Sequence, residues 1–179
     1  MKRNETSNDI HALIRNICEV AILSGLIYVS GLFRVPGLLP GSEFQLSAPI
    51  AVAVCGVFGF KRYIIAGVIA SVIGLMMGTS TLFNVLIAMT FRLGTGAVWL
   101  CLGSHRLFYV LAGPVGTTLA RFVLSLFVEK GFWIMLSAAA PGMLYTAATA
   151  WFFGKLFQKC RNAVLPESRT VKKTAEAGR

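Results

Sequence analysis

The sequence predicts an all-α membrane protein: a bundle of six transmembrane helices with both termini in the cytoplasm. Three observations carry that prediction. Of 179 residues, 56% are hydrophobic and only 13% are charged, whereas a soluble domain is nearer a quarter charged. Six apolar stretches fill residues 10–158, and each span needs roughly 20 apolar residues, so the spans consume nearly the whole chain and leave no room for a second domain. The positive charges, finally, fall on alternate connections. Lys2, Arg3, Arg15, Lys61, Arg62, Arg106, Lys155, Lys159, Arg161, Arg169, Lys172, Lys173 and Arg179 lie on one side, and only Arg34 and Lys130 on the other. Cytoplasmic loops carry the excess of Lys and Arg. A score of 13 against 2 therefore places both ends inside, in a multi-pass protein of a bacterial cytoplasmic (inner) membrane.

Taken in order, residues 1–9 read as a disordered polar tail and residues 10–160 as the six-helix domain. Span 1 covers about 10–33. The loop from Arg34 to Gln45 contains Pro36, Gly37, Pro40 and Gly41 and cannot continue a helix. Span 2 covers 46–60, and the Lys61-Arg62 pair makes a tight inside turn. Span 3 (63–78) ends at Gly78-Thr79. Span 4 (81–103) is followed by Ser104-His105-Arg106, and span 5 (107–128) by Glu129-Lys130-Gly131. Span 6 covers 132–158, and residues 161–179 form a basic cytoplasmic tail. The runs are continuous rather than alternating, which selects helices over barrel strands. A helix also bonds its own backbone within lipid. Spans 2 and 3 are short, which implies tilt or local thinning.

The net charge of +10 follows membrane topology and forms no continuous stripe, so anionic headgroups are a better partner than nucleic acid. Cys18, Cys55, Cys101 and Cys160 lie in the cytoplasmic half or beyond, where thiols stay reduced. His11 and His105 both sit at the cytoplasmic edge, unlike a serine–histidine dyad within a bundle. The chain has no H-E-x-x-H zinc motif and no Walker A sequence, and no acidic cluster for Mg²⁺. It calls for no cofactor, metal or catalytic residue, and cannot power transport itself.

Arg92 and Arg121 fall inside spans, at a cost of roughly 2.5–3.5 kcal/mol each on insertion scales. Such residues face the bundle interior or a water-filled cavity. The flanking positions point to a pocket that binds an anion. Asn84, Ala88, Arg92, Thr95 and Trp99 share a face of span 4. Pro114, Thr117, Thr118, Arg121 and Ser125 share one on span 5, and Trp133, Ser137, Pro141, Tyr145 and Thr149 repeat along span 6. Spans 2 and 3 carry almost no polar stripe. Apolar walls with a few placed polar groups suit a small ligand, and Ser42-Glu43-Phe44-Gln45 in the first loop would lid it. Glu43 is also the one carboxylate placed to fold down toward the arginines. Small residues at four-residue spacing mark close helix contacts: Ala66, Ala70, Gly74 and Gly78 on span 3, and Ala21-x-x-x-Gly25 on span 1.

Six spans in under 200 residues, both termini inside, the small-residue motif at Ala21 and Gly25, and the Pro/Gly-rich first loop leading into a short second span together resemble the substrate-binding S components of energy-coupling factor (ECF) vitamin transporters. The resemblance covers about residues 10–160. The usual span 1 motif is Ala-x-x-x-Ala, and here the second small residue is Gly25. The resemblance implies that a vitamin or related micronutrient binds in the outer half of the bundle, between the first loop and spans 4–6. Candidate ligand-binding residues are Asn84, Arg92, Thr95, Trp99, Thr117, Arg121, Ser137, Tyr145, Glu43 and Gln45. It also implies that Ala21 and Gly25 contact a transmembrane coupling subunit, to which two cytoplasmic ATPases bind. Two other readings fit a six-span chain: a non-transporting membrane scaffold of the cell-shape type, and a self-sufficient secondary carrier.

Overall fold

The computed structural model describes the backbone of residues 2–36, 43–127 and 132–164, and side chains within 10–33, 46–127 and 132–163. Six helices run in chain order: α1 (Lys2–Leu32), α2 (Ser47–Phe58), α3 (Phe60–Met76), α4 (Leu82–Leu102), α5 (Arg106–Phe127) and α6 (Phe132–Val164). Between α1 and α2, β1 (Arg34–Pro36) pairs antiparallel with β2 (Glu43–Gln45), in the register Arg34↔Gln45, Val35↔Phe44, Pro36↔Glu43. This hairpin is the one addition to the all-helical expectation. The helices alternate in direction, so the end of α1, the start of α2, the α3–α4 turn, the end of α5 and the start of α6 share one end of the bundle. The α2–α3 and α4–α5 turns share the other.

Three segments are long and apolar enough to cross a membrane: Leu13–Leu32, Leu82–Leu102 and Arg106–Phe127. The surface is correspondingly apolar, with Ile22, Met76, Leu82, Leu100, Leu126, Trp133 and Leu144 all largely exposed. The interior holds Ser24, Ser30, Ser71, Thr90, Arg92, Thr95 and Thr146. Apolar outside and polar within suits lipid as solvent; a water-soluble monomer rarely exposes large contiguous apolar patches.

α2 sits at the centre. Residues Pro49–Val57 are all buried, and the helix packs against each of the other five. A helix apolar on every face needs such a position. Its last carbonyls are satisfied from three directions: Gly59 N–H donates to Cys55 O at 3.0 Å, Ser104 Oγ to Gly56 O at 2.8 Å, and the Arg161 guanidinium to Val57 O. Gly59, at φ 85°, makes the whole α2–α3 turn by itself, because only glycine enters that region without a Cβ penalty. The turn therefore lies at Gly59, and Lys61 and Arg62 belong to the first turn of α3 rather than forming the connection. Arg62 instead ties α3 to α1, through Glu19 at 3.0 Å and Asn16 at 3.0 Å.

Two helices are longer than the sequence suggested. α1 takes in residues 2–9, and α6 runs on to Val164, with no proline or glycine between Gly154 and Val164 to stop it. The connection 128–131 and the tail beyond 164 lie outside the described residues.

Close helix approach depends on glycines that face bulky side chains. A Cβ on Gly56 or on Gly154 would lie 2.6 Å and 2.5 Å from the Tyr109 side chain. The ring is thus clamped between α2 and α6. Gly96 receives the Phe60 ring, and a Cβ on Gly94 would lie 3.0 Å from the Gly116 Cα. Gly154→Val will destabilise the bundle by about 1–3 kcal/mol through overpacking. Thermal unfolding in detergent checks this.

Candidate functional site

A cavity of about 730 Å³ opens at the hairpin end. Its origin is a mismatch in helix length. α2 has 12 residues and α4 and α5 have 21 and 22. At 1.5 Å per residue these are roughly 18 Å against 32–33 Å, so the central helix cannot fill the bundle. The first turn of α2 (Ser47, Ala48 and Ala51) lines the resulting space. Its N-cap, Leu46, supplies no side-chain acceptor, so the positive end of the helix dipole is left facing the cavity.

Arg92 and Arg121 both line this cavity. Arg92 is 6% exposed and is held by neutral groups: Nη1 donates to Ser71 Oγ at 2.8 Å and lies 3.5 Å from Met89 Sδ. Room for it comes from Gly67, where a Cβ would fall 2.3 Å from Nε. Nη2 has no partner among the described residues. Arg121, from α5, forms no hydrogen bond or ion pair among them. No Asp or Glu stands among the described lining residues, so two cations share one cavity without a described counter-charge.

The cavity gathers Asn84, Arg92, Thr117, Arg121 and Tyr145 from the sequence-derived set. Asn84 is exposed at the mouth, in the first turn of α4, where its N–H is capped by Thr81 Oγ1 at 3.3 Å. Thr95 and Trp99 lie on the same face of α4 but farther from the mouth, within the packing between helices. Thr95 is fully buried with its hydroxyl beside that of Tyr63, and the Trp99 indole N–H has no partner among the described residues. Ser137 points out of the bundle and spends its hydroxyl on Ile134 O at 2.9 Å, and Trp133 is 78% exposed. The stripe on α6 therefore wraps around the helix rather than facing one way: Met135, Ala139, Gly142, Tyr145 and the buried Thr146 line the cavity, while Trp133 and Ser137 point out. Glu43 and Gln45 lie in β2, whose backbone rests against α1 and α6; their side chains lie outside the described residues.

The expectation that α3 contributes almost nothing polar needs correction. Tyr63, Gly67 and Ser71 repeat every four residues on α3, and Tyr63 and Ser71 line the cavity with Arg92. Tyr63 is fully buried, and its hydroxyl neighbours that of Thr95. That spacing was visible in the sequence, interleaved with the Ala66-Ala70-Gly74 stripe and hidden by it.

A second feature lies farther along α1, nearer its N-terminus than the cavity. Ala21 and Gly25 are exposed, with open space beside Gly25. They form part of an apolar groove of about 580 Å³ between α1 and α3, whose other wall is Ile65, Ile69 and Ile73. No group of His, Cys, Asp and Glu suited to a metal occurs among the described residues. All four cysteines are free.

An apolar exterior, a polar interior and a cavity lined by two arginines mark the described residues as those of a helical membrane protein with an internal cavity. The chain is 43% identical over 141 residues to Protein BioX of Lysinibacillus sphaericus, an alignment spanning 79% of this chain and 85% of that protein. It belongs to the BioX family. No family model matches the chain, and no solved structure matches it.

Gly67→Val will push Arg92 off Ser71 while leaving the bundle assembled, because the guanidinium can swing into the cavity. Mass spectrometry after an arginine-selective reagent will show Arg92 modified faster than in the unaltered protein.

Proposed function

We propose that this protein is the substrate-binding S component of an ECF importer. In this reading it captures a small micronutrient bearing an anionic group from outside the cell. It then hands the ligand to a transmembrane coupling subunit driven by two cytoplasmic ATPases. The observation that carries the reading is the cavity itself. It opens at the end of the bundle away from the basic turns and termini, which is the outer face if all six helices span and the positive charge lies inside. Two arginines line it, and no described carboxylate answers them. A guanidinium fork binds a carboxylate through paired, charge-assisted hydrogen bonds. Tyr145, Phe91 and the aliphatic wall supply the apolar surround that a vitamin-sized ligand needs. The exposed Ala21–Gly25 face supports the second half of the proposal, since small residues let a partner helix approach closely.

Native mass spectrometry of the protein purified gently from its own host tests both halves at once. The expected result is a retained micronutrient-sized acid, a complex with one membrane subunit and two ATPases, or both. Co-purification with wall-synthesis proteins and no ATPase would move the assignment to a membrane scaffold. Uptake that follows an ion gradient and persists without ATP would identify a secondary carrier. Screening carboxylated vitamins, biotin among them, against the protein in nanodiscs gives the affinity. Arg92→Ala will raise Kd at least tenfold, or ~1.4 kcal/mol; unchanged binding would remove Arg92 from the pocket.

A further inference from the structure

We infer that the seam between α5 and α6, at the end of the bundle where α1 starts and α6 finishes, holds the phosphate of an anionic phospholipid. The site is separate from the cavity and does not depend on what the cavity binds. Helices α4, α5 and α6 contain no Asp or Glu. Among their cations, Arg92 and Arg121 line the cavity and Arg161 is bonded to Val57 O. That leaves Arg106, Lys155 and Lys159, all exposed. None of the three has a hydrogen bond or ion pair among the described residues. Like charges held close together repel, and an anion set between them removes that cost.

Packing contacts bring Arg106 and Lys155 to one level. A Cβ on Gly154 would meet the Tyr109 ring, and one on Gly113 would meet the Thr146 side chain. Counted along the two antiparallel helices from those contacts, Arg106 stands level with residues 153–157 of α6. Lys155 is within that stretch, and Lys159 is about one turn beyond it. The same contacts fix the face. Ala147, Trp151 and Lys155 repeat every four residues on α6, and the Ala147 backbone abuts Gly113. Trp151 therefore stands at the lip of the seam with Lys155 beside it, both exposed. On α5, Val110 and Arg106 continue the row from Gly113 and are also exposed. The Lys155 ammonium lies over the Trp151 ring, 3.6 Å from its centroid, a favourable place for a cation. Trp151 is one turn nearer the middle of the bundle, so this side chain leans back toward lipid instead of reaching out to water. Exposed Val110, Trp151 and Phe152 lie on the membrane side of the cations and offer acyl chains a surface. Cations at one level with apolar surface directly beside them match a phospholipid's phosphate and chains. A free phosphate would leave the apolar strip unused. By the distribution of positive charge this is the cytoplasmic leaflet, and basic pockets between membrane helices on that side bind anionic head groups.

The test is native mass spectrometry of the full chain in detergent, titrated at one fixed salt concentration. The probes are dioleoyl phosphatidylglycerol, cardiolipin and dioleoyl phosphatidylcholine. At least one anionic lipid is expected to bind about tenfold or more tighter than phosphatidylcholine. Lys155→Gln and Arg106→Gln should each weaken that binding about fivefold, the worth of one cation beside an anionic surface. Arg15→Gln removes a cation at the same end but from α1, and should leave the tight site unchanged. The comparison of lipids on the wild-type protein needs no variant, so misfolding cannot mask the answer. If phosphatidylcholine binds as tightly as either anionic lipid, the inference is overturned. If Arg15→Gln costs as much as Lys155→Gln, the basic end attracts lipid only diffusely and the site at the seam falls. Inorganic phosphate is titrated in parallel against lipid-free protein. If it binds as tightly as the lipids and with the same dependence on Arg106 and Lys155, the occupant is free phosphate and the lipid assignment falls. If both variants keep full lipid binding but lose a co-purifying acidic subunit, the seam is a protein interface, and the inference is again overturned.

Discussion

Helices in lipid gain little by hiding apolar side chains from one another, because the acyl chains outside are equally apolar. Close backbone approach must hold them instead. That constraint shapes this molecule throughout. Gly56 and Gly154 admit Tyr109, Gly96 admits Phe60, Gly113 admits Thr146, and Gly94 meets Gly116 across α4 and α5. Each is a place where one helix presents no side chain so that another can insert. The same device serves the candidate site, since Gly67 provides the slot in which the Arg92 side chain lies. Packing and chemistry are therefore built from one kind of contact.

The second determinant is the shortness of α2. A central helix buried on all faces organises the bundle, yet its 12 residues fall well short of its neighbours. The chain resolves the end away from the hairpin by capping the last α2 carbonyls with Gly59, Ser104 and Arg161. At the hairpin end no described residue replaces the missing turns, and the cavity occupies their place. Its polarity follows from what the surrounding helices direct inward there: arginines from α4 and α5, Ser71 and Tyr63 from α3, Tyr145 and Thr146 from α6. A void lined this way differs from a packing defect. An apolar gap offers only missing contacts, whereas this one presents guanidinium and hydroxyl donors.

Membrane character and the six helical segments were readable from composition and run length, because lipid demands long apolar stretches and internally bonded backbone. Arg92 and Arg121 stood out for the same reason: a charge within an apolar run is costly enough to need a purpose. Other features depended on three-dimensional register, which periodicity does not specify. Whether Ser137 or Thr146 faces inward is decided by how α6 is rotated against α2 and α5. Whether Tyr63 and Ser71 matter is decided by which face of α3 meets α4. The turn at Gly59 appeared in the sequence as a basic pair two residues later, because charge is conspicuous and a single left-handed glycine is not. By itself the sequence determined the solvent this chain requires, the number of its helices and the two cations it places among apolar residues. Only the tertiary structure decided that those cations share one cavity with a serine and a tyrosine from α3, because that depends on helix rotation and on the length of α2 relative to its neighbours.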